Sequence, residues 1–425
     1  MRLLRLVLLL AFAGAAEAQP ALGWAAADTL FAHDEDRFVY VPADPLPAEP
    51  RRAAATFEVE YVGFPAPARE AVQYAVDLWG RHLQSSVPIR VLARWEPAPD
   101  DVLGATSPRI IANFAQAPER NVWYVLPLAN ARAGSDLDPA EPHVRMSFNS
   151  TLGRWYFGTD ARPPTGRYDL VTIALHELAH GLGFVGSMTV EDGVGDWGLG
   201  DSRYPVIFDR FAERGDGTPL TDEAAFPRPS VALAGALQSE DVFFDGPAAR
   251  RADDGDRPRL HAPPTWEPGS SYAHLSEQRI GGAEPYPPGS PNSLMTPTVG
   301  SAEAVHDPGP IVCGVFEDLG WTLGEGCTTQ VPPDPARPLA IAAYPNPWRQ
   351  ESGAATVELA AGRAQRVEVY LFDTLGRRVA TLFEGTLGEG EQRLVPVEGR
   401  LAAGVYFVWV RSPEGVETRP LTVLR

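Results

Sequence analysis

Lysine is absent from all 425 residues, so each of the 36 basic side chains is an arginine. With 40 glycines, 42 prolines and abundant alanine, that absence reads as genomic base composition rather than mechanism. Positive charge is also outnumbered: 55 acidic residues leave a formal net charge of −19. A surface of that sign repels phosphate backbones and anionic headgroups, which argues against nucleic acid and anionic membrane as partners. Long apolar runs are missing too. After the opening residues nothing approaches the ~20 apolar residues that an integral membrane span requires.

What the chain does carry at its start is Met1-Arg2-Leu3-Leu4-Arg5, an apolar run to Ala13, and Ala16-Glu17-Ala18 before Gln19. A basic start, a short apolar core and small residues at the cut predict a secretory signal peptide over residues 1–18. Export bears on the two cysteines, Cys313 and Cys327. An even pair this close in an exported protein predicts a disulfide, which in a loop of this size contributes ~3 kcal/mol.

Residues 176 to 183 read His176-Glu177-Leu178-Ala179-His180-Gly181-Leu182-Gly183. Histidines four apart on a helix project from one face, so both imidazoles reach one ion. Glu177 follows about 100° round the helix, where its carboxylate addresses a water activated by that ion rather than the ion itself. Two ligands plus a general base is the zinc-peptidase arrangement. The surrounding positions Leu170, Ile173, Ala174, Leu175, Leu178 and Leu182 are apolar. Two histidines and a glutamate buried among them would cost several kcal/mol unless paired or metal-bound. Gly181 and Gly183 supply a helix stop, and the predicted helix runs from about Tyr168 to Leu182. No cysteine precedes it, which excludes inhibition by a propeptide thiol.

Along the chain, residues 19–54 are rich in Ala and Pro without a clear period and read as a lead-in or short pro-segment. A strand at Phe57–Tyr61, a helix over 67–84 and a strand at Ile89–Leu92 open an α/β layer. Further strands are expected at Ile110–Ala112, Trp123–Leu126 and His143–Phe148. Residues 186–262 form a long Gly-, Pro- and Asp-rich insert with one helical piece near Val231–Leu237, and a helical pattern spans Val312–Leu319. The zinc domain is expected over 55–327. A Pro-rich linker, 328–337, leads to a unit over 338–425 whose short apolar runs are spaced as in a β-sandwich. That unit has neither histidine nor cysteine, so the chemistry lies elsewhere. Asn149-Ser150-Thr151 fits a glycosylation acceptor and is read here as a loop after a strand.

A catalytic zinc site usually has three protein ligands. His261, His274 and His306 follow the helix, and Glu191, Asp192 and Asp196 are nearer acidic alternatives. The metzincin peptidases place the third histidine six residues after the second, where this chain has Gly186. His176-Glu177-x-x-His180-x-x-Gly183-Phe184 without that histidine resembles the leishmanolysin branch, in which an insert separates the glycine from the third ligand. Downstream, Tyr272-Ala273-His274-Leu275, then Asn292-Ser293-Leu294-Met295-Thr296-Pro297, then Phe316-Glu317-Asp318-Leu319-Gly320-Trp321 are similar to that family's order of parts. The resemblance covers roughly residues 55 to 325. It implies an α+β chain: a metzincin-like domain with a mixed sheet and an active-site helix, then a small all-β sandwich. It also implies His274 as third zinc ligand and Met295 in the turn beneath the metal.

The last unit resembles the sorting domain of the type IX secretion system, through Tyr344-Pro345-Asn346-Pro347, Leu371-Phe372-Asp373-Thr374-Leu375-Gly376-Arg377 and Leu401-Ala402-Ala403-Gly404-Val405-Tyr406-Phe407. This implies a Gram-negative bacterium, passage through the periplasm with the type IX machinery as partner, and release or attachment at the outer surface. The expectation is therefore a secreted Zn2+-dependent endopeptidase acting on extracellular proteins, with Glu177 as general base. The alternative is a catalytically inactive surface adhesin or binding protein that retains the metal site.

Overall fold

The computed structural model describes residues 20–43 and 55–424, apart from 254, 279–284, 289, 328–338, 345–347, 350–354, 362, 375, 389–391, 398, 400 and 414. The expected signal peptide and Pro-rich linker lie outside the described residues, as does part of the Tyr344–Pro347 motif. The chain divides into two compact units, 1–327 and 328–425. It is a mixed α+β protein with one large sheet and several small ones.

In the first unit the elements begin with β1 (Ala21–Trp24), β2 (Asp28–Val41), β3 (Phe57–Val62) and α1 (Ala66–His82). Next come β4 (Ile89–Glu96), β5 (Val102–Ala112), β6 (Trp123–Val125), α2 (Leu126–Ala133) and β7 (Val144–Asn149). The short strands β8 (Trp155–Tyr156) and β9 (Tyr168–Asp169) precede α3 (Leu170–Leu182). The insert then contributes hairpin β10 (Thr189–Glu191) and β11 (Val194–Asp196), then β12 (Ala212–Arg214), α4 (Val231–Leu237), β13 (Val242–Phe244) and α5 (Pro247–Ala252). The unit closes with β14 (Thr298–Val305) and α6 (Gly309–Leu319).

The large sheet has the order β14-β2-β5-β7-β4-β3, with β1 and β6 also paired to β5. β3, β4 and β7 run parallel; β5 is antiparallel to β7 and to β2; β2 and β14 are parallel. Residues 21–41, read from sequence as a lead-in, thus lie within this sheet. Sequence pattern hid β2 because Asp28-Thr29-Leu30-Phe31-Ala32-His33-Asp34-Glu35-Asp36-Arg37 has no clean alternation. Such a strand, paired with β5 over Asp28–Phe31 and with β14 from Phe31 onward, is held by its backbone and by distant partners instead.

α3 lies against β5 and β7, with α1 beside it. Every residue of α3 is buried, the polar Thr172, His176, Glu177 and His180 included. Asp169 caps it by accepting from the Thr172 N–H, and it ends at Gly183 as expected. Two indoles clamp it: Trp79 Nε1 donates to the Leu175 carbonyl at 3.0 Å and Trp321 Nε1 to the Leu182 carbonyl at 2.9 Å. The second bond occupies a last-turn carbonyl that has no partner within the helix. Cys313 and Cys327 form a disulfide that ties α6 to the end of the unit.

The second unit has two sheets. One holds β15 (Ala340–Tyr344), β17 (Ala355–Ala360) and β20 (Gln392–Val397). The other holds β16 (Trp348–Arg349), β18 (Gln365–Asp373), β19 (Arg378–Leu387), β21 (Gly404–Ser412) and β22 (Gly415–Leu424). Val357, Leu359, Val367, Val369, Leu371, Val408 and Val410 share its separate core. Along β18 alternate side chains are buried, the period-two pattern of a half-buried strand.

Candidate metal centre

α3 presents His176 and His180 on one face, and the loop before β14 brings His274 to meet them. The three Nε2 atoms lie 3.0, 3.1 and 3.2 Å apart, in wholly buried side chains. His176 Nδ1 donates to the Leu294 carbonyl at 2.7 Å and His180 Nδ1 to the Phe184 carbonyl at 2.6 Å. A carbonyl only accepts, so on these two rings Nδ1 carries the proton and Nε2 holds a bare lone pair. Burial reinforces this by disfavouring the imidazolium form. It pushes His180 down to about 4, and it holds His176 and His274 well below the ordinary value, helped by the neighbouring imidazoles. Lone pairs at such spacing repel one another unless a cation sits between them. These residues fit a metal ion with nitrogen ligands.

Long-range backbone bonds hold the third histidine. The His261 N–H donates to the His274 carbonyl at 2.8 Å, and Leu275 N–H donates to the Met295 carbonyl at 2.7 Å. The turn around buried Met295 therefore braces two rings, one through Leu294 and one through Leu275. Gly186 lies against this loop. A Cβ there would stand 2.1 Å from Tyr272 Cε1, so no histidine fits at this position without displacing that ring.

Glu177 is fully buried and neither carboxylate oxygen has a hydrogen-bond partner. Burial pushes its pKa well up; the Thr106 hydroxyl opposes this and the Asp28 carboxylate adds to it. β5 passes directly over it at Gly104, where a Cβ would lie 2.9 Å from Glu177 Oε1.

The other residues singled out in the sequence are elsewhere. His261 Nε2 lies 3.2 Å from Glu267, and its backbone rather than its ring serves the cluster. His306 Nε2 donates to Asp169 Oδ2 at 2.7 Å in a separate buried grouping. Glu191 and Asp192 are exposed on the β10–β11 hairpin, and Asp196 pairs with Arg203. None of these acids joins the three histidines.

Two acids near the centre carried no signal in the sequence. Asp209, buried in the insert, accepts from Ser187 N, Val206 N and the Tyr272 hydroxyl, the last at 2.9 Å, and so ties the insert to the His274 loop. Asp28 of β2 has Oδ2 3.7 Å from His180 Nδ1, and that oxygen is buried without a hydrogen-bond partner. In the sequence both are single acids in polar surroundings.

No family model matches the chain, and no curated protein matches it. Among solved structures, dimeric latent PorU from Porphyromonas gingivalis is similar at 21% identity over 20% of this chain and 9% of that one, with a TM-score of 0.17. PorZ of the same organism, an essential bacterial surface component of the type-IX secretion system, is similar at 29% identity over 20% of this chain and 12% of that one, with a TM-score of 0.15. The chain thus spans about a tenth of the length of either protein. At those TM-scores the likeness carries no argument about the site. Among the described residues, no helix is long and apolar enough to cross a membrane.

Proposed function

We propose that the chain is a zinc-dependent endopeptidase of the leishmanolysin-like kind. The observation that carries this reading is the convergence of three buried histidine Nε2 atoms beside an unpartnered glutamate on the same helix. His176, His180 and His274 would hold the ion. Zinc, when bound, supplies a Lewis acid for the scissile carbonyl and makes water a nucleophile near neutral pH. Glu177 takes a proton from the attacking water as its oxygen bonds to the carbonyl carbon, then delivers that proton to the amine as the C–N bond breaks. Burial raises the proton affinity of Glu177 towards the working pH, which suits a group that must both accept and release. Full burial of these side chains under β5 lowers the local dielectric and strengthens these interactions.

The sequence features of residues 338–425 support export through the type IX system to the outer surface of a Gram-negative cell. Extracellular polypeptides are then the natural substrate class. The test is hydrolysis of casein or gelatin by purified protein, with and without chelator and after zinc is restored. Cleavage that chelator abolishes and zinc restores supports the reading. Zinc bound in stoichiometric amount with no cleavage of any protein would overturn it in favour of a binding protein.

A further inference from the structure

Two of the three rings in the metal centre are braced by a carbonyl at Nδ1, and the third is not. His176 has the Leu294 carbonyl and His180 that of Phe184. His274 Nδ1 is buried without a hydrogen-bond partner, and the Ser270 carbonyl acts on the ring without reaching bonding geometry. A metal-bound imidazole normally takes its tautomer and its aim from such a partner. The aim of this ring must come from its backbone instead.

That backbone is strained two residues earlier. Tyr272 holds φ at +78°, a left-handed conformation that a bulky side chain keeps only where its surroundings enforce it. On the main chain, Tyr272 N–H donates to the His261 carbonyl at 2.6 Å, and His261 N–H donates to the His274 carbonyl at 2.8 Å. On the side chain, ring and hydroxyl are both gripped by one 3-10 turn of the insert, Ile207–Phe211. Phe208 meets the ring edge-on at 5.7 Å between centroids, and Asp209 accepts from the hydroxyl at 2.9 Å. Asp209 is itself fixed, because Ser187 N, Ser187 Oγ and Val206 N also donate to it. Phe208 packs in addition on Phe184, the residue whose carbonyl braces His180. The turn thus bears on two of the three rings.

We propose that Tyr272 and Asp209 are a positioning pair for the metal, through which the insert aims His274 and supplies the support that its ring lacks. This rests on the metal-binding part of the proposed function and not on its peptide chemistry.

The test uses the full chain carrying Tyr272→Phe, which keeps the ring and its packing, removes the hydroxyl, and leaves Asp209 its three other donors. Three quantities are compared with the parent: zinc affinity by competition with a chelating indicator, the visible spectrum of the Co2+-loaded protein, and the melting temperature of the metal-free protein. Cobalt is used because the filled d shell of zinc gives no such spectrum. Zinc should bind about tenfold more weakly or worse, and the cobalt bands should shift and lose intensity as His274 loosens. A lowered melting temperature with unchanged zinc affinity and cobalt spectrum would make the pair an ordinary brace of the fold and overturn the proposal. A parent that takes up neither metal would overturn the metal centre and the pair with it. Weakened zinc binding in the variant, with no cleavage of casein by the zinc-loaded parent, would support the pair and overturn the peptidase reading.

Discussion

Two buried groupings of histidine and acid stand on the same helix, and they are built oppositely. At the start of α3, His306 donates to Asp169, which also accepts from Thr172 N at 2.8 Å and Thr172 Oγ1 at 2.7 Å; that hydroxyl in turn accepts from Val305 N. That acid oxygen is fully engaged by donors of the fold. Further along, His176, His180 and His274 turn their Nε2 atoms on one another, and Glu177 stands without a partner. Identical residue types serve architecture in one place and form a candidate metal centre in the other. What distinguishes them is whether the histidine Nε2 meets a carboxylate of the fold or only other imidazoles, since His306 Nδ1 and Asp169 Oδ1 are themselves buried without partners.

The sharpest way to break this comparison is at the open acid. Glu177→Gln should lower peptide turnover by ~10²–10⁴ while zinc content and melting temperature stay as in the parent. Undiminished turnover would remove Glu177 as the base. Next in size, His274→Ala should abolish stoichiometric zinc binding, whereas Ala at 191, 192 or 196 should leave it intact. Metal analysis of the purified variants decides between the histidine and the acidic alternatives.

The closed grouping should respond in the other currency, stability. Asp169→Ala removes a helix cap and leaves His306 and Thr172 buried without their acceptor, a loss of roughly 2–4 kcal/mol. Denaturant midpoints should record it, and zinc affinity of the folded protein should not change. A variant that keeps its stability but loses zinc would show that the two groupings are coupled.

The smallest effect is the pH dependence of the metal-free protein. His180 titrates near its ordinary value when unfolded but only at about 4 when folded. Between these values the unfolded chain binds the proton and the native one does not, so native stability falls as pH falls through that window. His180→Gln should flatten the slope between about pH 6.5 and 4, as followed by thermal melts of apo-protein. An unchanged slope would mean that the ring is not held neutral by burial.

Much of this centre was legible in the chain. His176, Glu177 and His180 are fixed relative to one another by helix geometry alone, and the apolar residues between them announce burial. The disulfide expected from an even pair of cysteines close in the chain is present, and the alternating runs after residue 338 appear as two sheets. The third histidine could only be ranked among three by resemblance, because the bonds that seat it run from His261 and Met295, both outside its local turn. Asp28 and β2 were not legible. The pairing of Phe31 with Thr298 joins segments far apart in the chain, and a polar strand leaves no period to betray it.

The sequence by itself determined the chemistry available: a helix able to hold a cation and a base, an acidic surface, two cysteines, and a second unit without ligands. Side-chain identity and local period are sufficient for that, since both act within a turn or two of backbone. The tertiary structure alone decided that His274 completes the cluster while His306 is satisfied by Asp169. It also decided that Asp28, distant in the chain, lies beside His180 of the cluster. Those outcomes depend on strand pairing and loop closure across hundreds of residues, where the partner of each group is set by the whole fold rather than by its neighbours.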